Sequence, residues 1–162
     1  MVWHFLQPFV VSLGSTSFSL WLGESTLRIA GLLAFHLVGI TIFLGSIVPL
    51  SLRLLGLTMR QRPVAEVARD IAPFMAGGLC LVLASGFLVF TGGAEAYFAG
   101  YWFRTKMTVL LIAIIFHFTV FRRVTRSGDG RVSPMLSRAM GVLALVLWFT
   151  VGIAGRAIGF FE

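Results

Sequence analysis

The chain has 162 residues, 58% of them hydrophobic and 12% charged, with a mean hydropathy of +0.97. A soluble domain carries about twice that charged fraction, and the apolar surplus exceeds what a soluble core of this length can hide, so a lipid bilayer is the expected solvent. The net charge of +7 is carried by arginine apart from Lys106. Because the arginines cluster between apolar runs, they read as cytoplasmic membrane loops and not as a nucleic-acid surface.

Residues 1–27 come first. Trp3, Phe5, Phe9, Phe18 and Trp21 are interrupted by Gly14 and several hydroxyl residues, which predicts an amphipathic segment lying in or re-entering the interface. A fifth span is the competing reading. His4 falls in this segment and is expected at the interface. No charged leader precedes it, so a cleaved signal peptide is not expected.

Four runs are each long enough for the roughly 20 apolar residues that a crossing needs. They are predicted at about 29–52, 71–90, 101–121 and 140–161. The linkers between them are a polar loop, a short Gly-rich turn (TGGAEAYFAG) and a second polar loop. Arg53, Arg60, Arg62 and Arg69 flank the first polar loop. Arg122, Arg123, Arg126, Arg131 and Arg138 lie in or flank the second. Nine of the thirteen basic residues therefore share one side, which the positive-inside rule makes cytoplasmic. Arg28, Arg104, Lys106 and Arg156 fall on the outer side, with Tyr97, Tyr101 and Trp102 as an aromatic belt there. The expected architecture is all-α: an integral membrane four-helix bundle with an interfacial N-terminal segment and both termini outside.

Small residues predict close helix packing. Ala76, Cys80 and Ala84 recur at four-residue spacing on the second span, and Gly155 and Gly159 form a GxxxG pair with Gly152 one turn earlier. Pro49 and Pro73 are expected to kink or start their helices near the cytoplasmic ends. The single cysteine, Cys80, excludes an intramolecular disulfide and a CxxC pair and is expected to serve packing.

The ionisable side chains at membrane depth are the functional candidates, because they are costly there. At 1.5 Å per residue, His36 lies about 10 Å below the outer boundary, Lys106 about 7 Å and His117 about 23 Å. Two axial histidines must meet one haem iron from opposite faces, so a difference of about 13 Å argues against His36 and His117 sharing one. His36 with Lys106, or His36 with an open sixth position, is compatible in height. Arg104 and Arg156 stand at the same level and could neutralise propionates. This cation excess predicts an anionic guest such as haem propionates, a quinone headgroup or a carboxylate. The plainer readings are that His36 hydrogen-bonds within the bundle, that His117 and the outer cations snorkel, and that Met75, Met107 and Trp148 fill the core. There is no Gly-rich phosphate loop, zinc helix or nucleophile elbow, and no span holds a carboxylate for proton-coupled transport.

Trp21, His36 and the Arg53-Leu54-Leu55-Gly56 run, with the later FRTKM and AGRAIGFF stretches, resemble an uncharacterised family of bacterial four-helix membrane proteins. The resemblance covers nearly the whole chain and implies a fold but no activity. His36, Lys106 and His117 are more distantly similar in position to residues of HemJ-type protoporphyrinogen oxidases, although Phe43 stands where that family has tryptophan. That likeness implies b-type haem. The helix layout is also similar to CopD-type copper-resistance domains, which implies copper passage with His36, Met75 and Met107 as contacts. The function expected from these readings is a small haem-binding or redox-associated protein of the bacterial inner membrane, with His36 as the metal ligand. A copper or small-solute transport component and a subunit anchoring a periplasmic partner are the alternatives. The expected partners are the lipid bilayer, a periplasmic or membrane redox partner and a second copy of the chain.

Overall fold

A computed structural model describes residues 2–127 and 132–161, with side chains from Phe5 onward. Arg131 and the side chain of His4 lie outside the described residues. The described residues are helical throughout, without a strand, and four helices are long and apolar enough to cross a membrane. They are α3 (Thr26–Leu54), α4 (Val64–Thr91), a compound span Tyr101–Arg126 and α8 (Pro134–Phe161). The compound span consists of α6 (Tyr101–Phe116), a π-turn over His117–Phe121 and α7 (Arg122–Arg126). The chain is therefore an all-α, multi-pass membrane bundle. The helices run past the apolar stretches at their arginine-rich ends, where the basic turns stay helical although their side chains are solvated.

Local signals in the sequence set several of the helix ends. Gly56 follows α3 with φ +75°, a left-handed conformation that costs glycine little. Leu57 N–H donates to Leu52 O at 3.0 Å and Gly56 N–H to Arg53 O at 3.0 Å, the paired bonds of a Schellman stop. The Arg-Leu-Leu-Gly run is thus the termination signal of the first span. At the start of α8, Ser133 Oγ accepts from Leu136 N–H at 3.2 Å, and Pro134 opens the helix where its missing N–H costs nothing. Pro49 and Pro73 sit inside α3 and α4 without ending them.

The N-terminal segment is two helices, α1 (Val2–Gly14) and α2 (Ser17–Gly23), bent by 72° at the break between them. This is the geometry of a broken span or a re-entrant loop. Thr16 caps α2 by accepting from Ser19 N–H at 3.2 Å. Val10 of α1 packs with Ala94 and Phe98 of α5 (Ala94–Ala99), a short helix inside the stretch expected to be only a turn. Ser19 Oγ donates to Thr91 O, anchoring α2 to the end of α4.

The bundle is packed unevenly. α3 lies closely along α4, α6 along α8, and α3 also meets α8. The tightest crossing is between α3 and α4, where a Cβ on Gly78 would come within 2.7 Å of Phe43 N and one on Gly39 within 3.0 Å of Val82 N. The main core gathers Phe43, Ile47, Leu50, Met75, Leu79, Leu110, Ala113, Phe121 and Trp148. These lie from mid-span toward the arginine-rich end. Toward the other end α3 buries nothing before Gly39 and α6 nothing before Leu110, while α4 buries Ser85 and Thr91 and α8 buries Ala154 and Ala157.

Two packing expectations are corrected. Ala76, Cys80 and Ala84 face outward, and the small residue that permits the α3–α4 contact is Gly78. Gly152 and Gly159 are also exposed, whereas Gly155 faces Lys106. Lipid tails are as apolar as leucine, so small residues at helical spacing do not by themselves identify the face that meets protein.

Candidate functional site

His36 is on the face of α3 that meets α4. Its Nδ1 lies 3.0 Å from Ser85 Oγ, and Ser85 is 4% exposed. The Ser85 hydroxyl has one hydrogen, and Leu81 O, one turn earlier in its own helix, is also within its reach. Turned toward the ring, the same hydroxyl would donate to His36 Nδ1; turned toward Leu81, its oxygen accepts from His36 Nδ1–H. In the second arrangement the neutral imidazole has a bare lone pair on Nε2, the protonation pattern of a metal-binding histidine whose other nitrogen is held by a polar group.

The ring lies over Gly86, the residue after its hydrogen-bond partner. A Cβ there would sit 3.0 Å from His36 Cε1 and 3.4 Å from Nδ1, so Gly86 provides the space that the imidazole fills. Lys106 occupies a matching niche on the opposite helix pair. A Cβ on Gly155 would meet both its Cε and its Nζ at 3.3 Å. The structure therefore seats His36 and Lys106, two of the residues singled out from sequence, each against a glycine of a facing helix.

The two arginines expected beside them are held elsewhere. Arg104 Nε donates to Phe98 O at 2.9 Å, and its guanidinium stacks over the Phe98 ring at 5.6 Å, which ties α5 to the start of α6. Arg156 is exposed and folds along its own helix onto Phe160, 4.4 Å above the ring. Each has an aromatic partner four to six residues away in sequence, and that local contact wins over reaching across the bundle.

His117 belongs to a different environment. It is 4% exposed, and its ring is surrounded by Phe43, Phe118, Phe121 and Trp148 at centroid distances of 5.1–6.2 Å. Phe43 is two turns below His36 on α3, about 10 Å along the axis, and that separation puts His117 out of the His36 site. His117 is packed among aromatic rings and does not snorkel.

Ser85, Gly86 and Gly155 take part in the site but were not identified by the sequence reading. Ser85-Gly86 is the one polar pair inside the apolar run of α4 between Leu79 and Phe90, and that is the signal that could have drawn attention to it. The copper contacts suggested by the CopD likeness do not converge. Met75 is buried in the main core, about 15 Å along α4 from Ser85, and Met107 is turned outward. Among the described residues no three His, Cys, Asp or Glu side chains are gathered.

Compared with known proteins, residues 11–161 match the model of a family of unknown function (DUF6644). No curated protein and no solved structure matches.

Proposed function

The chain belongs to this family, and we propose that it binds b-type haem, or a related redox cofactor, through His36 in the half of the bundle away from the arginine-rich end. The observation that carries this reading is the 3.0 Å contact between His36 Nδ1 and the buried Ser85 hydroxyl, which holds one nitrogen of an intramembrane imidazole and so orients the ring for ligation through Nε2. The donor set fits one axial histidine. Gly86 makes room for the ring.

In this reading His36 supplies the ligand and Ser85 fixes the orientation and tautomer of its ring. Lys106 provides the cationic group facing an anionic edge of the guest, the role that Arg104 and Arg156 do not take. When bound, haem would supply one-electron chemistry, with a potential set by the axial ligand and by burial. The reading assigns no substrate. It places the protein in a bacterial inner membrane, with the arginine-rich end on the cytoplasmic side.

The test is an absorption spectrum of the detergent-purified protein after expression with ample haem, with His36→Ala and His117→Phe beside it. A Soret band that survives His117→Phe and is lost in His36→Ala is expected. Absence of the band from a folded wild-type protein, or an unchanged band in His36→Ala, overturns the reading.

A further inference from the structure

Four buried side-chain polar atoms have no hydrogen-bond partner among the described residues: Ser51 Oγ, Thr58 Oγ1, His117 Nδ1 and Trp148 Nε1, and the last two belong to one aromatic cluster. His117 and Trp148 are each 4% exposed. They belong to neighbouring rings, with centroids 6.2 Å apart and planes at 82°. Phe43 is packed edge-on against Trp148 at 4.3 Å, and Phe121 is stacked on His117 at 5.6 Å. Two such groups left unsatisfied in one core is uncommon, because each loses its hydration without replacement.

The backbone at this position is unusual as well. Arg122 N–H donates to His117 O, five residues back, which closes a π-turn. The inserted residue widens the helix so that Phe116, His117 and Phe121 all face the core. Single π-turns of this kind occur mostly where a helix serves a site.

The two nitrogens are complementary. Indole Nε1–H can only donate, and a neutral imidazole can accept at Nδ1 when its hydrogen is on Nε2. We propose that His117 and Trp148 form a second internal site, which takes one water molecule as acceptor from Trp148 Nε1–H and donor to His117 Nδ1. Water is the ligand class that fits. Two hydrogen bonds through one oxygen span about 4.5–5.5 Å, and close ring packing on the Phe43 and Phe121 sides excludes a planar headgroup. The site makes His117 a proton-exchanging group inside the core.

The experiment is histidine side-chain nitrogen NMR on the protein labelled with 15N-histidine in detergent, with Trp148→Phe and His36→Ala as variants. His36→Ala assigns the two core signals and leaves the His117 signal in place. The expected result is an Nε2–H tautomer for His117, with magnetisation transfer from water to its Nδ1 that disappears in Trp148→Phe, while the His36 signals stay unchanged. Should Trp148→Phe fail to fold, solvent exchange of the Trp148 indole hydrogen in His117→Gln supplies the second reading, and faster exchange than in the wild type is expected. A His117 signal without water contact, or one that Trp148→Phe does not alter, overturns the site and shows a dry core with two unsatisfied nitrogens. Indole exchange unaltered in His117→Gln has the same consequence.

Discussion

Replacing Gly78 by alanine, with the adjacent Gly77→Ala as control, tests whether the α3–α4 crossing is what holds His36 against Ser85. A Cβ on Gly78 would lie 2.7 Å from Phe43 N and 3.0 Å from Phe43 Cα. Both are backbone atoms on the facing helix, so no side-chain rotation relieves the overlap. Ordinary contact begins near 3.4 Å, and the helices must part by about 0.7 Å, enough to forfeit a quarter to a half of the dispersion energy of the atoms that separate. With the strain of overpacking, the expected cost is about 1–3 kcal/mol. Gly77 has nothing within 4 Å of the same added atom, so there alanine should be neutral or stabilise by up to about 1 kcal/mol through helix propensity. The assay is reversible unfolding in mixed micelles, followed by circular dichroism, for the wild type and both variants. The nitrogen signals of His36 should also shift in Gly78→Ala, because the parting helices carry Ser85 away from the ring. Equal stability of the two variants, or an unshifted His36 signal in a destabilised Gly78→Ala, would refute the reasoning.

Four further outcomes are expected. Ser85→Ala removes the buried hydrogen-bond partner of His36 Nδ1 and should cost roughly 0.5–1.5 kcal/mol. It should also release the fixed tautomer, visible as mixed Nδ1–H and Nε2–H populations. Gly56→Ala places a Cβ in open space but at φ +75°, so its cost of about 1 kcal/mol is conformational; Gly56→Asn should restore part of it, and a variant as stable as wild type would show that the Schellman stop is dispensable. Arg62 donates to Glu66 and to Asp70, the latter at 2.6 Å, and these bonds, Glu66 first, hold its guanidinium above the ordinary arginine range. A group raised in the folded state contributes fully below its ordinary range and loses the contribution only as pH rises through the raised value. Arg62→Gln should therefore leave the pH profile flat through neutrality and mainly reduce the salt sensitivity of the melting temperature. Cys80 is turned out of the bundle at mid-span, so a charged maleimide should fail to label it in intact membranes, where an apolar one succeeds. Rapid labelling by the charged reagent would place this face in contact with water.

Apolar run length located the four crossings in the sequence, because a bilayer of fixed thickness demands a fixed number of apolar residues. Local chemistry located two helix limits: Gly56 stops α3 through its left-handed backbone, and Ser133-Pro134 starts α8 through a side-chain cap. The separation of His117 from His36 was also legible, since helical rise puts Phe43, on which His117 packs, about 10 Å along α3 from His36. Tertiary structure decided which faces meet. Gly78 and not the Ala76-Cys80-Ala84 stripe makes the contact with α3, Ser85 and Gly86 receive the His36 ring, and Gly155 receives Lys106. Arg104 and Arg156, placed at the right height by the sequence, turn to nearby aromatic rings instead. In water, a polar stripe would have marked the outer face of each helix. In lipid, the outer face and the packed face are equally apolar, so hydropathy carries no information about direction, and only the packed bundle shows which residues share a site.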